Sequence, residues 1–224
     1  MPTCYAKTVL PSNPFRSDFD YHDLPITAPG HLTGRLQTLN RIDPRDVLSQ
    51  ETQEIYRGLG VTPSDIFALG NKPFTDPDNP NHRYCATHRD LKWDGQKWRL
   101  DYVFALNYEF TLDQHDIWWK FWIVDETECY PPEPKQPSDG YFASIHYHKR
   151  QSGGAAANQG DPAKHLFLER LDLDCPTLCR TEIAHSIHHN NDHLPRYAIT
   201  VRFHERLDNW QHALDVFAPV LKSQ

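Results

Sequence analysis

A chain of 224 residues with 38% hydrophobic, 12% aromatic and 24% charged residues is long enough to bury a sizeable core and too apolar to stay unfolded. Its net charge of −7 excludes the basic excess of a non-specific nucleic-acid binder, and no apolar run reaches the roughly 20 residues that cross a bilayer. The five cysteines are scattered without a C-x-x-C pair, so reduced thiols and a cytoplasmic protein are expected in place of a disulfide framework or a thiolate zinc site.

Residues 1–40 are rich in Pro, Asp and aromatic rings without sustained periodicity and read as an extended arm packed by its rings. A helical segment follows over 41–70. Asp43 serves as N-cap, Pro44 fits the first helical position, and Leu48, Ile55 and Leu59 recur at near-helical spacing before Gly58 and Gly60. The stretch "TPSDIFALG" repeats that logic, with Thr62 and Asp65 as a capping box and Gly70 as the stop.

Over 87–111 the pair Asp94-Gly95 predicts a type I′ hairpin. Trp98, Leu100, Tyr102, Phe104, Leu106, Tyr108 and Phe110 alternate along its second strand. Setting Trp93 opposite Gln96 puts Asp90 opposite Arg99 and His88 opposite Asp101. The run "IWWKFWIV" is apolar on both faces apart from Lys120, which predicts a central strand. Its Trp118, Trp119, Phe121 and Trp122 read as core rings in preference to a stacking platform.

Strands over 141–149 and 164–173, joined by the Gly/Ala-rich segment 152–160, predict a further hairpin. Asp174 and Pro176 open a predicted helix running to about His189. A strand over 197–205 follows, and Asp208 with Gln211 caps a last helix that Pro219 kinks or ends. The order predicts a single α+β domain over 1–224: a largely antiparallel sheet of about five to seven strands, helices on one face and an extended N-terminal arm. Within it, 1–40 is the arm, 41–70 the helical segment, 84–206 the sheet with an inserted helix, and 207–222 the C-terminal helix.

Histidines mark the candidate chemistry. His146 and His148 share a strand face with Phe142 and Ser144, an arrangement that suits two imidazole ligands or an acid/base pair. His185 and His189 stand four apart on the predicted helix, the spacing at which adjacent turns meet one metal. Ser186 takes the place of the Glu that a helical metalloprotease requires. Arg202 and His204 share one face of the strand 197–205. If that strand neighbours 141–149, then His146, His148, His165 and His204 gather beside Arg202.

Two functions fit. The leading one is a non-catalytic protein-binding module of inhibitor, immunity or adaptor type, whose acidic, aromatic-rich N-terminal half meets a basic protein partner. Residues 1–139 carry 14 Lys and Arg against 21 Asp and Glu, whereas 140–206 carry 8 against 7 and hold 8 of the 14 histidines. The alternative is a hydrolase that cleaves the phosphodiester bonds of RNA or DNA. In its acid/base form His146, His148 and His204 move protons while Arg202 holds the phosphate charge. In its metal-dependent form His146, His148, His165, His185 and His189 supply the ligands of a divalent transition metal such as Zn. The sequence has no P-loop, dinucleotide-binding glycine pattern or G-x-S-x-G.

Overall fold

The computed structural model describes residues 3–24, 37–71, 84–93, 98–100, 103–111, 117–123, 142–146, 166–189 and 196–223. The fold is α+β, as expected, but its strands divide between two antiparallel sheets. In the first, the neighbours run β1 (Tyr5–Lys7), β10 (Thr177–Cys179), β6 (Ala105–Glu109), β12 (Arg196–Phe203), β3 (Pro63–Asn71) and β2 (Gln37–Ile42). In the second they run β5 (Trp98–Leu100), β4 (Tyr84–Trp93), β11 (Ala184–His189), β7 (Ile117–Ile123) and β9 (Leu166–Asp172), and β8 (Phe142–His146) also pairs with β4. Leu91 pairs with Leu100 of β5 and with Ala143 of β8, while His88 pairs with His185 of β11 and with His146 of β8. A strand residue has only two sides, so β8 lies along one edge of β4, with β5 and β11 along the other.

From β3 onward the chain passes repeatedly between the sheets. The neighbour orders β10-β6-β12-β3 and β4-β11-β7-β9 are those of a double-sheet jelly roll. One face of the first sheet packs on helices: Ile66, Ala68, Leu106, Tyr108, Ile199, Val201 and Phe203 share a core with Tyr56, Trp210, Ala213 and Phe217. The opposite face meets the second sheet, where Cys4 and Cys179 cluster with Ile117, Trp119, Phe121, Leu171 and Ile187. Tyr5 stacks on Phe121 across this junction, with ring centroids 6.3 Å apart.

Three α-helices complete the described residues: α1 (Pro44–Val47), α2 (Gln50–Gly58) and α3 (Trp210–Phe217). Asp43 caps α1 by accepting the Arg45 N–H, as the sequence indicates, and Ser49 restarts the helix by accepting that of Thr52. Gly60, at φ 78°, takes the left-handed turn that ends this segment. Asn209, not Asp208, caps α3, accepting the His212 N–H at 3.0 Å. The arm packs by its rings, with Phe15 and Tyr21 lying 5.0 and 5.4 Å from Phe110. No described helix is long and apolar enough to cross a membrane.

Several expected elements change class or partner. The stretch "TPSDIFALG" is β3, not a helix, and pairs with β2 and β12. It is buried on both faces, which erases the alternation that marks a half-exposed strand. The predicted helix over 174–189 is β10 and β11. Ile183 and Ile187 are four apart, and four is a multiple of the strand period as well as close to one helical turn. The long strand predicted over 98–111 is broken. Trp98–Leu100 stays with β4 in the second sheet, whereas Ala105–Glu109 crosses to the first. The register of the β4–β5 pair is Trp93 opposite Trp98 and Lys92 opposite Arg99, two residues from the expected one, which leaves every face assignment intact. The Asp94-Gly95 turn lies outside the described residues. Strands β8 and β9 do not form a hairpin with each other: β8 pairs with β4, and β9 with β7. Strand β7 is central, as its two apolar faces predict.

Candidate metal centre

Strand β11 carries a fully buried histidine. His185 is 2% exposed, and its ring lies flat on Trp119, with centroids 4.9 Å apart and planes 10° from parallel. Phe121 closes a second side at 6.2 Å. The Nδ1 atom stands 2.9 Å from the Ile183 carbonyl oxygen. A carbonyl only accepts, so Nδ1 donates to it, and that bond fixes the orientation of the ring. An imidazole oriented by a backbone carbonyl at one nitrogen is a common arrangement in metal ligands.

Strand register places further histidine positions beside this one. His88 of β4 is the direct partner of His185, and His146 of β8 is the direct partner of His88. Asp90 follows His88 by two residues, hence on the same face, and pairs with Ser144. Three histidine positions thus form a row across three adjacent strands, with a carboxylate position one step along. Directly opposed positions are about 4.5–5.5 Å apart at Cβ. Between positions 185 and 187 of β11, strand β4 advances three residues instead of two, from His88 to Cys85. Such a bulge re-aims neighbouring side chains and is common beside active sites.

The first sheet presents a polar wall to the second. Register puts Asp65, Asn107, Glu109, Thr200 and Arg202 on the face that carries Cys179, and all five are buried. The Thr200 hydroxyl donates to Asn107 Oδ1 at 2.6 Å, that of Thr111 donates to Glu109 at 2.9 Å, and Arg202 Nη1 donates to the Phe104 carbonyl at 3.0 Å. Arg41 pairs with Asp65. The opposing faces of a β-sandwich ordinarily make an apolar core; here polar side chains bonded within the first sheet take part of its place.

The expected convergence of strands 141–149 and 197–205 does not form. Strand β12 lies between β3 and β6 in the first sheet, whereas β8 lies on β4 in the second. Arg202 is tied to the Phe104 carbonyl, and His204 is exposed beyond the end of β12. His148 and His165 lie outside the described residues. His185 and His189 fall on a strand, about 13 Å apart along it, too far to chelate as adjacent helical turns do. Among the residues whose side chains are described, no three His, Cys, Asp or Glu gather as a metal site. Positions 88, 90 and 146 enter by strand register. Sequence reading missed His88 and Asp90 as site residues, although the pair H-x-D on a strand carries the same one-face logic as H-x-H.

Trp119 and Phe121 are core rings, as expected. Trp118 and Trp122 lie on the outer face of β7, where Arg170 sits 4.9 Å from the Trp118 ring and the Trp122 indole N–H donates to Ser186 at 2.9 Å. No family model, curated protein or solved structure matches the chain.

Proposed function

We propose that the chain is a non-haem iron oxygenase acting on a small organic molecule, with His88, Asp90 and His185 as the ligands of Fe(II). The observation that carries the reading is the pairing of His185 with His88, two residues before Asp90. Two imidazoles and one carboxylate on one face are the donor set that holds Fe(II) while leaving positions open for dioxygen and substrate. The Nδ1 bond of His185 to a backbone carbonyl supports the ligand role.

Zinc accepts a similar set in hydrolases. The closed aromatic flank of Trp119 and Phe121 favours the oxygenase, since a hydrolase must bring water to its metal and an oxidising site is protected by excluding it. Insertion of one oxygen atom into a C–H bond takes two electrons from the substrate, and reduction of the second atom takes two more. A 2-oxo acid supplies that second pair on decarboxylation. The polar wall with Asn107, Thr200 and Arg202 gives such an acid hydrogen-bonding partners. The free thiols of Cys4 and Cys175 suit the reducing cytoplasm.

The test is anaerobic loading of the purified chain with Fe(II), then dioxygen uptake with a panel of 2-oxo acids, alongside phosphodiester cleavage with Zn(II) or Mn(II). The reading expects metal binding in wild type, its loss in His88→Ala, Asp90→Ala and His185→Ala, and metal-dependent oxygen uptake stimulated by a 2-oxo acid. Phosphodiester cleavage without oxygen uptake would return the assignment to the hydrolase.

A non-catalytic protein-binding role is the second reading. Ile123, Leu166 and Phe167 favour it, being 52%, 62% and 49% exposed on the paired ends of β7 and β9. On the same two strands Arg170 is paired with Asp172, which leaves Lys120 as the excess charge, unlike the acidic N-terminal half from which sequence alone would start. Phe167→Ser with Leu166→Ser tests it: unchanged sedimentation and unchanged capture of an acidic protein panel would remove the reading.

A further inference from the structure

Strands β7 and β9 are hydrogen-bonded neighbours that a tight turn would join, yet Ile123 and Leu166 are separated by 42 residues. Part of that excursion is β8, which lies not beside β7 or β9 but beyond β11, on the far edge of β4. The chain therefore leaves one side of the second sheet, lays a strand on the opposite edge, and returns. β7 and β9 themselves pair over 118–123 and 166–172.

What β8 brings is specific. Its positions Ser144 and His146 are the direct partners of Asp90 and His88, on the face that those two residues share with His185. Ala143 and Ile145, which alternate with them, fall on the other face. The strand thus sets a hydroxyl-bearing and an imidazole-bearing residue beside the two β4 ligand positions, and apolar residues away from them.

We infer that Ser144 and His146 of β8, set beside Asp90 and His88, form the substrate-recognition edge of the metal site and bind a carboxylate group of the substrate. The inference rests on the metal reading above. Fe(II) with two neutral imidazoles and one carboxylate keeps a charge of +1, which favours an anionic oxygen ligand, and both side chains are able to donate to one. His146 is a binding residue in this account, not a metal ligand; the ligand set is complete without it.

The experiment uses the full-length chain loaded with Co(II) as a spectroscopic stand-in, titrated with acetate, succinate and glutamate and followed by the visible absorption of the metal. Wild type is expected to bind at least one of these acids. Ser144→Ala and His146→Gln are each expected to weaken that binding by about tenfold with metal stoichiometry unchanged, and His146→Lys to restore it to within about threefold by returning a cationic donor. Loss of metal in His146→Gln overturns the inference by making His146 a ligand, as does acid binding unchanged in both variants. If wild type takes up no metal, the oxygenase reading fails first. If it takes up metal but binds none of the acids, only the present inference fails.

Discussion

Tyr56 and Tyr108 meet in the core between α2 and the first sheet, both fully buried, their hydroxyls 2.6 Å apart. Burial raises the pKa of both, so both stay neutral and one hydroxyl donates to the other. Tyr56→Phe leaves a buried hydroxyl without its partner and is expected to cost about 1–3 kcal/mol. Tyr56→Phe with Tyr108→Phe should cost less than the sum of the single changes, as measured by urea unfolding; additive costs would show that the two hydroxyls do not act as a pair. Cys4 offers a pH test. Burial first, and then Glu169, push its thiol up to about 12 from an ordinary 9.0. The fold favours the protonated thiol, so this contribution is fully present below pH 9 and is lost as pH rises from there towards about 12. Unfolding measured against pH should show a shallower alkaline loss in Cys4→Ala, and an unchanged slope would remove the thiol from the account. None of these partners was legible in the sequence, where Tyr56 and Tyr108 are 52 residues apart and Cys4 and Glu169 are 165 apart.

At the scale of elements, legibility followed exposure and period. β7 was readable because its short run is apolar on both faces, the strand face of Ser144 and His146 because alternation places them, and Asp43 as a cap because Pro44 follows it. β3 and β11 were not. Both are buried on two faces, and the even spacing of Ile183, His185, Ile187 and His189 fits a strand as well as a helix. The difference has a chemical consequence. A helix makes His185 and His189 a chelating pair, whereas the strand keeps them about 13 Å apart and pairs His185 with His88 instead. His189→Ala is therefore expected to keep its metal with affinity within about threefold of wild type, and His185→Ala to lose about tenfold or more. Equal losses in isothermal titration would favour the helix.

At the scale of the molecule, the candidate site depends on an order of strands that no local pattern contains. His88, Ser144, His146 and His185 span almost 100 residues of chain and become neighbours only because β4 lies between β8 and β11. The first sheet, backed by its helices, turns its polar face towards the second sheet. If metal binds the folded chain alone, Fe(II) at 100 times its dissociation constant should raise the free energy of unfolding by about 2.7 kcal/mol. A chelator should reverse the gain, and His88→Ala should not show it. The most direct measurement is the metal content of the chain after anaerobic loading and desalting. One Fe(II) per chain in wild type, with none retained by His88→Ala or Asp90→Ala that still fold, is the predicted result. Wild type that retains no metal, or variants that retain as much as wild type, would contradict the assignment of His88, Asp90 and His185 as an iron site.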